Sequence, residues 1–89
     1  MRHHKFGSFL KKARESRKYS QGDVAKVLGY TSAQFISNLE RGISPPPLKV
    51  LKVLVKLYAV KPDEVMRVIE EEQRRHMKEN LARLRKALK

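Results

Sequence analysis

The sequence predicts an all-α fold of five short helices with a charged helical extension at the C-terminal end. Three observations carry that expectation. Apolar residues recur at helical spacing, as at Phe6, Phe9, Leu10 and Ala13, which fall at i, i+3, i+4 and i+7. Gly29, Gly42, the proline run Pro45 to Pro47 and Pro62 separate the periodic runs from one another. No stretch alternates apolar and polar residues with the period of a strand, and no internal repeat or low-complexity tract is present.

Each element has its own reason. Helix 1 is predicted from Lys5 to Lys18, with the Phe6–Phe9–Leu10–Ala13 stripe inward. Ser20 suits an N-cap, with Asp23 three residues on in a capping-box pattern. Helix 2 then runs to Leu28 and is expected to bury Val24, Ala25, Val27 and Leu28. Gly29 stands where a left-handed C-terminal residue is wanted. Thr31 with Gln34 is a second capping-box pattern, opening helix 3, which is expected to reach Arg41 and stop at Gly42. The prolines of "ISPPPLK" stiffen the next link, so helix 4 should begin at or just after Pro47. Its sequence "LKVLKVLVKLY" is apolar except for Lys49, Lys52 and Lys56, a buried helix with one wet edge. Pro62, Asp63 and Glu64 open helix 5, with proline early and acids at the positive end of the helix dipole.

After Val68 and Ile69 the chain becomes strongly charged, which divides it into a domain at 1–69 and an extension at 70–89. Glu70, Glu71 and Glu72 occupy successive helical positions and read as solvated charge. Met77, Leu81, Leu84 and Leu88 recur at 4, 3, 4 spacing, the pattern of a two-strand seam. Two readings stand: a solvated, frayed tail, or a helix that packs on a second copy of the chain or on a protein partner.

Composition narrows the function. The 89 residues carry a net charge of +12, a surplus that favours a polyanionic partner. Nucleic acid leads and an anionic membrane surface follows. The charge is uneven: residues 1–19 hold seven Lys/Arg against Glu15, whereas residues 20–42 balance Lys26 and Arg41 against Asp23 and Glu40. A nearly neutral polar helix between basic flanks suits a reader held by phosphate clamps. With no cysteine there is no disulfide framework or thiolate metal site, which suits a cytoplasmic setting. No apolar run approaches membrane-spanning length, and the N-terminal "MRHHKFGSF" lacks a secretion-signal core, so no membrane span and no secretion signal are expected, and nucleic acid rather than membrane is taken as the partner.

The functional constellation is Gln21, Ala25 and Gly29. Gln21 opens a helix where amides favour a phosphate, Ala25 lets two helices approach, and Gly29 makes the turn between them. Together with "FxxFLKKAR" in helix 1, "SQxxVAxxLG" in helix 2, "ISNLERG" ending helix 3 and the apolar helix 4, the chain resembles the lambda-repressor-like helix-turn-helix family, also called Cro/cI or XRE-like, over residues 5–69. The resemblance implies a DNA-binding transcriptional regulator that needs no cofactor or metal. It implies a bacterial or phage protein, a repressor acting as a homodimer on double-stranded DNA in the cytoplasm. It also implies that Arg14 and Glu40 form a partly buried pair fixing the reader helix to the scaffold.

The register of helix 3 has two solutions. Counting back from "ISNLERG" makes Ile36 the core residue and puts Ala33, Gln34 and Asn38 toward the bases, with Ser37 beside them. Counting forward from Gly29 makes Phe35 the core residue and shifts the first pair to Ser32 and Ala33. Gln34 and Asn38 carry amides that can bond adenine N6 and N7, and Ala33 can touch a thymine methyl. Gln34 has a competing task in the capping box. Gln21, Tyr30, Thr31, Arg41 and Lys49 are the phosphate candidates, with Tyr30 alternatively packing its ring on the core. Arg2, His3, His4 and Lys5 form an arm over the DNA or stay disordered.

Other chemistry is thin. His3 and His4 are adjacent and His76 is distant, a poor zinc set. No nucleophile–base set, phosphate-cradling glycine loop or catalytic carboxylate pair is visible, so no enzyme is expected. Two further classes compete with the regulator: an antitoxin-like protein-binding module of the same fold, and a nonspecific architectural DNA-binding protein.

Overall fold

The computed structural model describes residues 4–88. Arg2 and His3, half of the expected arm, lie outside the described residues, as do Met1 and Lys89. Five helices follow in order: α1 (His4–Ser16), α2 (Gln21–Leu28), α3 (Gln34–Glu40), α4 (Leu48–Leu57) and α5 (Pro62–Ala87). α1 packs against α3 and α5, and α2 against α3. Phe6, Leu10 and Ala13 of α1, Val24 and Ala25 of α2, Ile36 and Leu39 of α3, Val50 and Leu54 of α4, Tyr58 and Val65 form the buried core.

The helix ends share one device. After α1, Lys18 N–H donates to Glu15 O and Tyr19 N–H to Arg14 O, closing a Schellman turn around Lys18 at φ 62°. The same pair of bonds ends α2 around Gly29, α3 around Gly42 and α4 around Ala59 at φ 54°. Glycine adopts this left-handed conformation without steric cost. At Lys18 and Ala59 the side chain crowds the following carbonyl, about 1–2 kcal/mol each. α1 therefore stops two residues before the predicted Lys18.

The N-termini differ more. Ser20 caps α2 in a complete capping box: its hydroxyl accepts from Asp23 N–H, and Asp23 accepts from Ser20 N–H at 2.9 Å. α4 starts right after Pro47, and Pro62 occupies the first turn of α5. α3 departs from expectation. The Thr31–Gln34 capping box does not form; the N-cap is Ala33, which has no side-chain acceptor, and Ser32 Oγ accepts a long 3.4 Å bond from Gln34 N–H. α3 begins only at Gln34, which leaves Thr31 three residues outside it.

Two sequence expectations are corrected. Val27 is 59% exposed, because the inward arc of α2 is set by Val24, Ala25 and Leu28 and Val27 falls off it. Glu72 is not solvated: it is buried, and its two oxygens accept from Lys5 N–H (3.2 Å) and Phe6 N–H (2.8 Å). α1 has no acid in its own first turn, so a carboxylate 66 positions away along the chain supplies the missing acceptor and favourable charge. Glu71 pairs with the Lys5 ammonium, which holds its carboxyl below the usual range. α5 continues through residue 70 without a break in the helix.

Candidate nucleic-acid interface

α3 and its C-cap Arg41 present two distinct sides around the helix axis. Ile36, Leu39 and Glu40 are buried against the scaffold. Gln34, Asn38 and Arg41 stand at i, i+4 and i+7, so they form one ridge on the opposite side, with Ser37 on its flank. Ile36 is 1% exposed, whereas Phe35 is half-buried and meets the Tyr30 ring with centroids 4.6 Å apart. The register is thus the one counted back from "ISNLERG". Tyr30 keeps 40% of its surface exposed and packs on Phe35 at the rim rather than inside the core.

On the ridge, Gln34 Nε2 donates to Asn38 Oδ1 at 2.9 Å. A carboxamide offers two N–H donors and two acceptor lone pairs. After that bond Gln34 retains an acceptor oxygen and a second N–H, and Asn38 retains both donors. The couple thus presents adjacent donors and an acceptor, the combination an adenine edge requires in the major groove. Gln34 is available for this because the capping task foreseen for it is not taken up.

A buried polar cluster fixes the ridge to the body of the molecule. Arg14 Nε donates to Glu40 Oε2 at 2.7 Å and Nη2 to Oε1 at 3.1 Å, a two-pronged pair. The same guanidinium donates through Nη1 to Tyr19 O at 2.7 Å, and Gln21 Nε2 donates to Glu40 Oε1 at 2.9 Å. One carboxylate therefore gathers α1, the start of α2 and the last residue of α3. The bond to Glu40 raises the Arg14 pKa against the opposing effect of burial, so the cation is secured. Burial, with Glu40 charge nearby, pushes the Tyr58 hydroxyl up, so it stays protonated. Among the described residues no buried side-chain nitrogen or oxygen lacks a hydrogen-bond partner.

Gly7 makes this arrangement possible. A Cβ there would lie 2.5 Å from Glu40 O and 2.7 Å from Leu39 O. The end of α3 thus rests directly on the α1 backbone. Gly7 and Glu72 escaped the sequence reading because their partners are distant in the chain; the only local signal was a glycine on the apolar side of helix 1.

The remaining positions are spread around this ridge. Ser32 and Thr31 are exposed in the turn, and Ala33 is half-buried at the N-cap. Gln21 stands at the start of α2 with one amide hydrogen committed to Glu40 and one left over. Arg41 and Lys49 are exposed, at the end of α3 and in the first turn of α4. Met77, Leu81, Leu84 and Leu88 lie far along α5, each half or more exposed. No described helix is long and apolar enough to cross a membrane, and no three described His, Asp or Glu side chains cluster as a metal site.

Comparison with known families matches residues 10–65 to the family described as helix-turn-helix. No curated protein and no solved structure matches the chain significantly.

Proposed function

The chain belongs to the helix-turn-helix family of Cro/cI-like, XRE-type DNA-binding domains, which are not enzymes, and from that premise we propose that it is a sequence-specific, dimeric repressor of transcription. The observation that carries the reading is the Gln34–Asn38 amide couple on the outward ridge of a helix clamped by a buried ion pair. α3 enters the major groove of double-stranded DNA. Gln34 and Asn38 bond base edges, Ala33 and Ser32 meet the groove at the helix start, and Ser37 lines its side. Gln21, Tyr30, Thr31, Arg41 and Lys49 grip phosphates around it, which sets position and register without carrying sequence information.

Charge alone would bind DNA but would not need the neutral Gln34–Asn38 amide couple. The scaffold matters because base discrimination of about 1–3 kcal/mol per contact depends on holding amides in register with the base edges. One such domain reads only a few base pairs, so a two-fold arrangement on a palindromic operator supplies the remaining specificity. The place of action is the bacterial or phage-infected cytoplasm.

The deciding experiment is selection from a random duplex library at near-physiological salt, with sequencing of the bound pool. A two-fold symmetric motif is expected. An unpaired half-site would retain base reading and remove the dimer. No enrichment would refute base reading by α3 and turn attention to a protein partner.

A further inference from the structure

We propose that residues 77–88 of α5 lie flat on an anionic lipid surface, with Met77, Leu81, Leu84 and Leu88 in the acyl boundary and the surrounding lysines and arginines at the headgroups. Residues 77–88 are all exposed, so this stretch has no packing within one chain. A helical segment that short is marginal in water without something to pack on. Its apolar residues are gathered: at 100° per residue the four fall within an arc of about 60°, and each keeps 50–76% of its surface exposed. No described helix is long and apolar enough to cross a membrane. Lying in the interface asks for less, namely one apolar face and a basic remainder.

Charge decides the occupant. Residues 74–89 carry seven Lys/Arg against Glu79. Arg74, Lys78 and Arg85 border the stripe along one edge, about 50–90° from its centre, and Arg75, Arg83 and Lys86 lie on the far side. A duplex would satisfy the cations and leave the four apolar side chains in water. A second copy would offer an apolar stripe but repeat the positive charge, so like charges would face one another. An acidic helix from another protein would reach the cations on the bordering edge and not those behind. An anionic bilayer surface offers an apolar layer together with a field that extends about 8–10 Å at ordinary salt, close to the width of a helix, so even the far cations contribute. The bordering side chains are long enough to keep their methylenes with the stripe and their charge at the headgroups.

The domain leaves this seat clear. Glu72, the carboxylate that caps α1, lies about 150° round the helix from the centre of the stripe, so α1 stands behind α5 rather than between it and the surface. Leu81, Leu84 and Leu88 lie about 14–24 Å beyond Glu72 along the axis, past the groove of Pro45, Pro46 and Leu51 that Met77 lines. The acids of α5 are concentrated at its domain end, where Glu71 is held by Lys5 and Glu72 by the start of α1. The charge along α5 therefore changes sign where the helix leaves the domain, and only the cationic part meets the lipid. This surface is separate from base reading by α3 and adds a second ligand to it.

The test uses the full chain without DNA, so that failure of base reading and failure of this surface are told apart. Vesicles of phosphatidylcholine with about 30% phosphatidylglycerol should bind the chain at about 0.15 M salt, and vesicles of phosphatidylcholine alone should bind it at least about a hundredfold more weakly. The chain has no tryptophan, so a single introduced indole reports its own position. On the anionic vesicles Leu84→Trp should shift its emission to the blue and be quenched by lipids brominated on the acyl chains. Lys86→Trp, on the opposite side of the helix, should do neither. Leu81→Glu should weaken vesicle binding at least about tenfold, and Lys78→Glu with Arg85→Glu at least about twentyfold. The melting of the domain should be unchanged in all of these, because none of the residues joins the core. No binding to the anionic vesicles would overturn the proposal. So would equal binding to both vesicle types, binding that Leu81→Glu leaves intact, or matching indole signals at 84 and 86. A Leu84→Trp emission already blue without lipid, from a chain that sediments as a dimer, would give the stripe to a second copy and overturn it as well.

Discussion

Replacing Gly7 with alanine sets two physical effects against each other, and the structure decides which prevails. In an ordinary helix interior, Gly→Ala stabilises by about 0.8–1 kcal/mol, since alanine restricts the unfolded chain more and forms helix better. At Gly7 the new Cβ would stand 2.5 Å from Glu40 O, about 0.9 Å short of an ordinary 3.4 Å contact, and 2.7 Å from Leu39 O. Both obstacles are backbone carbonyls at the end of α3, so no side-chain rotation relieves them. Overpacking of this kind costs about 1–3 kcal/mol, and backbone displacement places it toward the upper end. The net expectation is destabilisation by about 1–2 kcal/mol. The internal control is Gly22→Ala, where the nearest atom is Ser20 Oγ at 3.7 Å and the contact is ordinary. That variant should be more stable than the parent by up to about 1 kcal/mol. Urea unfolding followed by far-UV circular dichroism measures both. A Gly7→Ala protein as stable as the parent, or more stable, would refute the close approach of α1 and α3.

Four other expectations are open to direct measurement. Asn38→Ala should weaken binding to the selected operator by about 1–3 kcal/mol and leave nonspecific affinity unchanged, whereas Lys49→Ala should lower both and reduce the salt slope by about one, read by fluorescence anisotropy across a salt series. Glu72→Gln should cost about 1–3 kcal/mol in urea unfolding, since two buried amide donors of α1 then share one neutral oxygen, while exposed Glu70→Gln should change stability by less than about 0.5 kcal/mol. Ala59→Gly should raise stability by up to about 1 kcal/mol by relieving the left-handed turn, and Gly29→Ala should lower it similarly, its Cβ meeting no atom but demanding the same φ. The Ser20 amide, then its hydroxyl, hold the Asp23 carboxyl below the usual range. The folded pKa being depressed, its contribution is complete above the unfolded value near pH 4 and is lost as pH falls through the folded value. Asp23→Asn should therefore flatten the acid limb of stability below about pH 4, and NMR titration should place the Asp23 midpoint under the ordinary aspartate value.

What was legible in the sequence follows from where each signal is stored. Helix termini marked by residue type could be read: Gly29, Gly42, Ser20 with Asp23, and Pro62 all do what their chemistry favours. Lys18 and Ala59 take the same left-handed conformation as the two glycines, and nothing in a lysine or an alanine announces it. Their turns form because the core contacts of the adjoining helices outweigh a local cost of about 1–2 kcal/mol. Glu72 illustrates the opposite failure. Its neighbours are charged, so locally it belongs to a solvated run; its burial is decided by two amides at the other end of the chain. The Arg14–Glu40 pair came from family resemblance rather than from periodicity, because no helical spacing connects residues 26 apart. The start of helix 3 was undecided between two registers, and packing decided it: Ile36 fills the interior while Phe35 shares the rim with Tyr30.

The same separation explains how so short a helix as α3 can be held still. α3 has seven residues, too few to be stable by its own hydrogen bonds, and its N-cap contributes no side-chain acceptor. Its outward residues lie off the core, so they add little to folding. Rigidity has to come from the inward side and from the C-terminal end. Ile36 and Leu39 supply apolar burial, Gly7 admits the α3 carbonyls to the surface of α1, and Glu40 is held by Arg14 and Gln21 from two other helices. Replacing a buried pair with apolar residues often costs little, but removing one member strands a charge at about 3–5 kcal/mol. Arg14 is therefore more than a stabiliser: it aims Glu40, and through Glu40 it sets the height and rotation at which Gln34 and Asn38 leave the domain. Because the ridge and the clamp occupy opposite sides of one helix, the proposed base reading lets residues 34 and 38 change without disturbing the contacts that hold α3 in place.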